Sequence, residues 1–191
     1  MYLVLRIAVH GIDEENIRTM IRTTARSSFG LFLITFSASS IQSLFCTSWS
    51  NWGVQNSRYL GVSFAISHFY HLGLLGSRSV LFPNPFFSEL NVAVLGINAL
   101  AYAVTIAMAL TSSDKAQQML GARWRQLHFV GAYFIFFVFV ATYVPRALSD
   151  NFYIPFVIAI GVVTILKARH LIAKTRSSGP NLRSSNTWSL Y

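Results

Sequence analysis

Five long apolar runs constrain this chain more than any other feature of its sequence. Only 11% of the residues are charged, whereas 53% are hydrophobic, and a soluble domain carries about 25% charged residues. A run of about 20 apolar residues matches the hydrocarbon thickness of a bilayer. Helices satisfy the backbone hydrogen bonds of such a run. The sequence therefore predicts spans at 28–45, 59–75, 91–110, 127–144 and 152–166.

The predicted fold is an all-α integral membrane bundle of about five transmembrane helices, and its single domain covers 28–172. Residues 1–27 combine a short apolar segment with an amphipathic stretch that has acidic residues near its start, which is typical of an interfacial helix. Residues 173–191 are rich in Ser, Gly, Pro and Asn, and this composition predicts a disordered cytoplasmic tail.

Two connections between the predicted spans carry recognisable local patterns. The segment 81–87 reads LFPNPFF and is predicted to be an aromatic loop, broken by proline, at the headgroup level. In the next connection, Ser112 or Ser113 is predicted to cap a short helix that ends at Gly121.

The net charge of +9 and the single cysteine limit the partners and cofactors. Most basic residues lie in the connections and the tail, where anionic lipid headgroups explain them, so membrane lipid rather than nucleic acid is the expected partner. Of the 15 Lys and Arg residues, nine fall on the face of the C-terminus and six on the other face. This bias favours a cytoplasmic C-terminus in a multi-pass protein. Cys46 alone cannot form an intrachain disulfide or a cysteine-ligated cluster.

Histidines inside the spans are the candidates for chemistry, because an ionisable group in a membrane is costly. His68 and His71 share one face of the second span, and His128 opens the fourth. Imidazoles from facing helices are suitable axial ligands for haem iron. By helical rise, His71 lies roughly 20 Å from Arg58 and His128 only about 5 Å from Arg125. All three histidines therefore stay open as ligands, and hydrogen bonding to a neighbouring helix is the alternative role of each.

The other polar residues give weaker signals. His10 and His170 are predicted to be solvated interfacial residues. Arg123, Trp124 and Arg125 are expected at the mouth of the bundle, where they either pair with haem propionates and dock an electron donor or anchor the chain at the interface. No mid-membrane carboxylate and no glycine-rich nucleotide loop is present. Flavin or nicotinamide binding would therefore need another chain.

Two groups of residues resemble the ferric reductase-like transmembrane family over about 22–169. The sequence RYLG at 58–61, followed by apolar residues up to HL at 71–72, is similar to that family's third helix. The next cytoplasmic loop and the following helix are matched by ALTS at 109–112, Gln117, LG at 120–121, RW at 123–124 and QLH at 126–128, and AR at 25–26 fits the first span. Within the family, the similarity is to membrane subunits of sulfoxide reductase systems.

The resemblance implies a truncated form of a six-helix fold that binds haem b through His71 and His128, with His68 one turn earlier. Members with two haems carry a further histidine where this chain has Ala141, so one haem is expected. The implied role is an electron-transfer subunit of an oxidoreductase in the bacterial inner membrane. A quinone or flavoprotein would be the electron donor, and a redox partner protein would be a further partner. The alternative is a cofactor-free protein of the same fold, acting as a structural subunit or small-molecule permease.

Overall fold

The computed structural model describes residues 13–88 and 91–177, which are almost entirely helical and contain no strand. This confirms the predicted all-α bundle. In chain order the described helices are α1 (Glu14–Phe45), α2 (Ser48–Gln55), α3 (Ser57–Leu81), α4 (Pro83–Ser88), α5 (Val92–Leu110), α6 (Asp114–Leu120), α7 (Ala122–Ser149), a 3₁₀ turn (Asn151–Tyr153) and α8 (Ile154–Ser177).

Four helical segments are long and apolar enough to cross a membrane: α1, α5, α7, and the 3₁₀ turn together with α8 up to Ala173. They correspond to four of the five predicted spans. The fifth predicted span corresponds to α3, which is 25 residues long but is not among these apolar segments, since it carries several serines, two histidines and two arginines. It packs along α1, to which three of its polar side chains, Ser67, His71 and Arg78, are hydrogen-bonded.

Helix α1 differs from the prediction of a separate interfacial helix followed by a span. It runs unbroken for 32 residues from its N-cap, Asp13, which accepts a hydrogen bond from the backbone N–H of Asn16. The hydroxyls of Thr23 and Ser27 each donate to a carbonyl one turn earlier, so polar residues continue the helix across the expected boundary. About 20 residues span a bilayer, and α1 therefore projects beyond it at one end.

The two ends of the predicted chain are covered only in part. The apolar segment at 1–11 and most of the predicted tail, 178–191, lie outside the described residues. Residues 173–177 are described and continue α8 as helix.

Ion pairs mark the two ends of the bundle. Arg78, near the end of α3, donates to Glu14 at the start of α1 (2.9 Å), so the two helices are antiparallel. At the opposite end, Arg58 donates to Asp114 (2.9 Å). We call these ends the Glu14 face and the Asp114 face. Because the long helices alternate in direction, α5 and α8 end at the Asp114 face and α7 begins there.

Aromatic side chains and one close helix contact form the core. Phe29 of α1 contacts Phe139, Tyr143 and Phe156, with ring centroids 4.6–5.7 Å apart. Gly131 of α7 lies so close to α5 that a Cβ atom there would be 2.9 Å from a methyl group of Val104. Since lipid is as apolar as the core, packing rather than hydrophobic transfer holds such helices together.

Of the two connections with local sequence patterns, one agrees with the prediction and the other differs from it. Ser113 caps α6 by accepting from the backbone N–H of Ala116, and α6 ends at Gly121, as the sequence predicts. Gly121 has φ +52°, a conformation that favours glycine. The predicted aromatic loop instead contains α4, a single short helix (Pro83–Ser88).

Candidate functional site: a cavity beside His128

A cavity of about 750 Å³ opens among the five long helices, toward the Asp114 face. Its size falls in the range of small-molecule and cofactor sites, about 300–1,000 Å³. Most of its wall is apolar and aromatic, and its ionisable side chains come from four helices. Those ionisable residues are Arg58, Asp114, His128, Tyr133, Lys167 and His170.

His128 lies on the cavity wall and is held by its neighbours. The Thr111 hydroxyl oxygen lies 2.7 Å from the Ala107 carbonyl oxygen and 3.1 Å from the Nε2 of His128. When the hydroxyl donates to that carbonyl, its oxygen accepts from the Nε2–H of His128. The indole of Trp124 stacks on the imidazole with 4.3 Å between centroids, and its N–H donates to the carbonyl of Thr111 (2.8 Å). These contacts leave Nδ1 as the ring nitrogen with an available lone pair.

His71 is held in a comparable way, but between α3 and α1. Its Nδ1 lies 3.0 Å from the Ile21 carbonyl and 3.1 Å from the Thr24 hydroxyl. A carbonyl can only accept, so Nδ1 carries the proton. Histidines that bind metals are usually oriented by such a bond from their other ring nitrogen. His71 nevertheless does not line the cavity.

His68 is packed against other rings instead of being hydrogen-bonded. Its imidazole stacks on Tyr102 (4.5 Å between centroids) and Phe64 (5.3 Å), and it lies 5.9 Å from the ring of His71. Its Nδ1 is buried and has no hydrogen-bond partner in the described part of the chain. His68 and His71 are thus neighbours, as their spacing predicts.

The structure does not bring His128 to this pair. His68 lies level with Phe139, 6.2 Å between ring centroids, and Phe139 is about three turns, roughly 16 Å, along α7 from His128. Metal–imidazole bonds are about 2 Å long, so two axial nitrogens of one iron are only about 4 Å apart. His128 and either histidine of α3 are therefore too far apart to share an iron in this arrangement.

The remaining predicted site residues divide between the cavity and the surface. Trp124 lines the cavity, but Arg123 and Arg125 are exposed and are not part of its wall. The basic residues on the wall are Arg58 and Lys167. Arg58 is paired with Asp114, whereas Lys167 has no carboxylate within 4 Å in the described residues.

His170 and Lys167 are the site residues that the sequence did not identify. His170 is half-buried on the cavity wall, where a solvated position was predicted. The signal was available, since a spacing of three places the two side chains on one face of a helix. It was missed because the last span was predicted to end at 166, while α8 continues to Ser177.

No group of three or more His, Cys, Asp or Glu side chains able to hold a metal ion occurs among the residues that the structure describes. A protein-only metal site of that kind is therefore absent from 13–88 and 91–177. A haem needs fewer protein ligands, because the porphyrin supplies the other nitrogens.

No family model, no curated protein and no solved structure matches the chain.

Proposed function

We propose that this membrane protein binds one haem b in the cavity beside His128 and relays electrons as a subunit of an oxidoreductase. The observation that carries the proposal is an oriented imidazole on the wall of an aromatic-lined cavity of suitable size. Haem is bound by some proteins through a single histidine. Bound there, haem b would supply a one-electron redox couple.

The residues of the cavity fit the chemistry of that group. His128 would hold the haem through Nδ1, and Thr111, by accepting from Nε2–H, would fix the ring and its tautomer. Phe32, Phe64 and Tyr133 provide apolar walls, and Lys167 provides a cation for a carboxylate. His71, which the family resemblance offers as a ligand, and His68 pack α3 against its neighbours in this proposal.

The position of the cavity bears on the partners. His128 lies near the Asp114 face. A single redox site there cannot easily carry electrons across the whole hydrocarbon layer of about 30 Å. A quinone or a flavoprotein is the proposed electron donor, with a redox partner protein as acceptor. From nine basic residues against six, we place the Asp114 face and the C-terminus in the cytoplasm of a bacterial inner membrane.

A second candidate function is a cofactor-free structural subunit or small-molecule permease. The observation that favours it is the separation of His128 from the α3 histidines, which removes the expected pair of ligands. A cavity lined by Lys167 and His170 could also serve a small molecule that contains no metal.

Reduced-minus-oxidised spectra of the purified protein distinguish the two functions. Haem b gives sharp bands after reduction with dithionite, and we expect them in protein expressed with added haem precursor. A colourless protein under the same conditions favours the second function.

A further inference from the structure

Lys167 lies in an environment that favours the binding of an anion. Its ammonium is 4.3 Å from the centre of the Phe36 ring, and the side chain is half-buried on the cavity wall. A cation over an aromatic ring gains about 0.5–2 kcal/mol, and partial burial of the unpaired ammonium offsets some of that gain. Among the described residues that line the cavity, Asp114 is the only carboxylate, and it is paired with Arg58.

His170 adds a second polar group on the same wall. It follows Lys167 by three positions on α8, so the two side chains share a helix face. Its Nδ1 is buried and makes no hydrogen bond to any described residue. Buried polar atoms are nearly always hydrogen-bonded in folded proteins, so this nitrogen is an unsatisfied polar group beside the cavity.

The rest of the wall indicates what the anion is attached to. Phe32, Phe36 and Phe64 belong to the aromatic core and also face the cavity, so a free inorganic ion would leave most of the wall without contacts. A carboxylate on an apolar body satisfies both parts of the cavity.

We propose that Lys167 and His170 form a binding site for the carboxylate of an apolar ligand held in the cavity. The carboxylate has two possible sources, a haem propionate or the head of a fatty acid. The proposal rests on the function proposed above only for the first source.

The test uses full-length protein in nanodiscs in which Trp49, Trp52 and Trp188 are replaced by Phe. Trp124, which lines the cavity, is then the single tryptophan. Quenching by 9,10-dibromostearate reports the charged ligand, and quenching by its methyl ester reports a neutral ligand of the same shape. The variants are K167Q, K167R, H170Q and, as a control, K115Q, which removes an exposed lysine of α6.

We expect K167Q to weaken dibromostearate binding about tenfold, since a charge-assisted hydrogen bond contributes about that factor or more. H170Q should weaken it several-fold, whereas K167R and K115Q should bind as the parent does. The methyl ester should bind equally to all variants. Circular dichroism and a single elution peak confirm that each variant is folded.

A second arm compares haemin with haemin dimethyl ester, whose propionates are esterified. If K167Q weakens the binding of haemin but not of its dimethyl ester, the haem propionates occupy the site. A second outcome is that haemin gives no b-type spectrum while K167Q still weakens the binding of dibromostearate but not of its ester. In that case the carboxylate site binds a fatty acid, and only the proposed haem function is contradicted. The proposal is overturned if K167Q leaves the binding of both charged probes unchanged, or if it weakens the binding of charged and neutral probes equally.

Discussion

At the scale of single residues, the four histidines in the described part of the chain lie in four different environments. His71 is hydrogen-bonded across two helices, and His68 stacks between aromatic rings. His128 is fixed by Thr111 on the cavity wall, and His170 has a buried, unpaired nitrogen. Because polar groups are scarce inside a bundle, the role of each imidazole depends on which partner its helix neighbours offer.

The contrast between His71 and His68 gives a prediction for stability. H71F removes the hydrogen bonds to Ile21 and Thr24, and should lower the free energy of unfolding in detergent by about 1–2 kcal/mol. H68F keeps the stack on Tyr102 and Phe64 and loses no hydrogen bond, so it should change stability by less than about 0.5 kcal/mol. Denaturant titration followed by circular dichroism measures both. Equal losses in the two variants would contradict the roles assigned here.

The sequence identified three of these histidines as special but could not assign their roles. Spacing on one helix predicts that His68 and His71 are neighbours, and helical rise indicates that His71 and His128 lie at different depths. The partners of an imidazole depend on packing between helices, which no local pattern encodes. The bond between His71 and the carbonyl of Ile21 is an example.

At the scale of elements, pairs of helices that meet at small or polar residues organise the bundle. Helix α3 is joined to α1 by the hydrogen bonds Ser28–Ser67 and Thr24–His71 and by the ion pair of Glu14 with Arg78. Helix α7 meets α5 at Gly131 instead, where the absence of a side chain allows close approach. Small residues at helix contacts have this effect generally in membranes.

Substitution of Gly131 tests the close contact of α5 with α7. In G131L the new side chain would meet Val104 and Met108, and such overpacking costs about 1–3 kcal/mol. G161L is the matched control, because no atom lies within 4 Å of a Cβ at Gly161 of α8. We expect thermal unfolding in detergent to shift down for G131L alone. A shift of the same size in G161L would show that the effect is not specific to this contact.

The elements themselves were largely predictable. Apolar runs mark the long helices because length and composition decide whether a segment can span, and Ser113 and Gly121 mark the ends of α6 through local hydrogen bonding and backbone conformation. The continuation of α1 across 23–28 was not predictable, since the threonines and serines there suit either a helix or a boundary.

At the scale of the whole molecule, the alternating directions of the long helices fix which loops share a face. The end of α1, helix α6 and the end of α8 lie at the Asp114 face, while α4 lies at the Glu14 face. The cavity opens toward the Asp114 face, so access from one side of the membrane follows from the order of the helices.

Cysteine labelling tests this arrangement directly. Cys46 is the chain's single cysteine and is exposed just after α1. We expect a membrane-impermeant maleimide to label Cys46 and, in a C46S background, Q118C of α6 from the same side of sealed vesicles. In that background S88C of α4 should be labelled only from the opposite side. Labelling of all three positions from one side would contradict a bundle that spans the membrane.

The central claim is that an oriented histidine in this cavity binds haem, and a reduced-minus-oxidised spectrum tests it most directly. The purified protein, expressed with added haem precursor, should show b-type bands at about one haem per chain. H128A should lose most of that absorbance, while H68F and H71F should keep it. A colourless parent protein, or bands that persist in H128A and vanish in H71F, would contradict the claim.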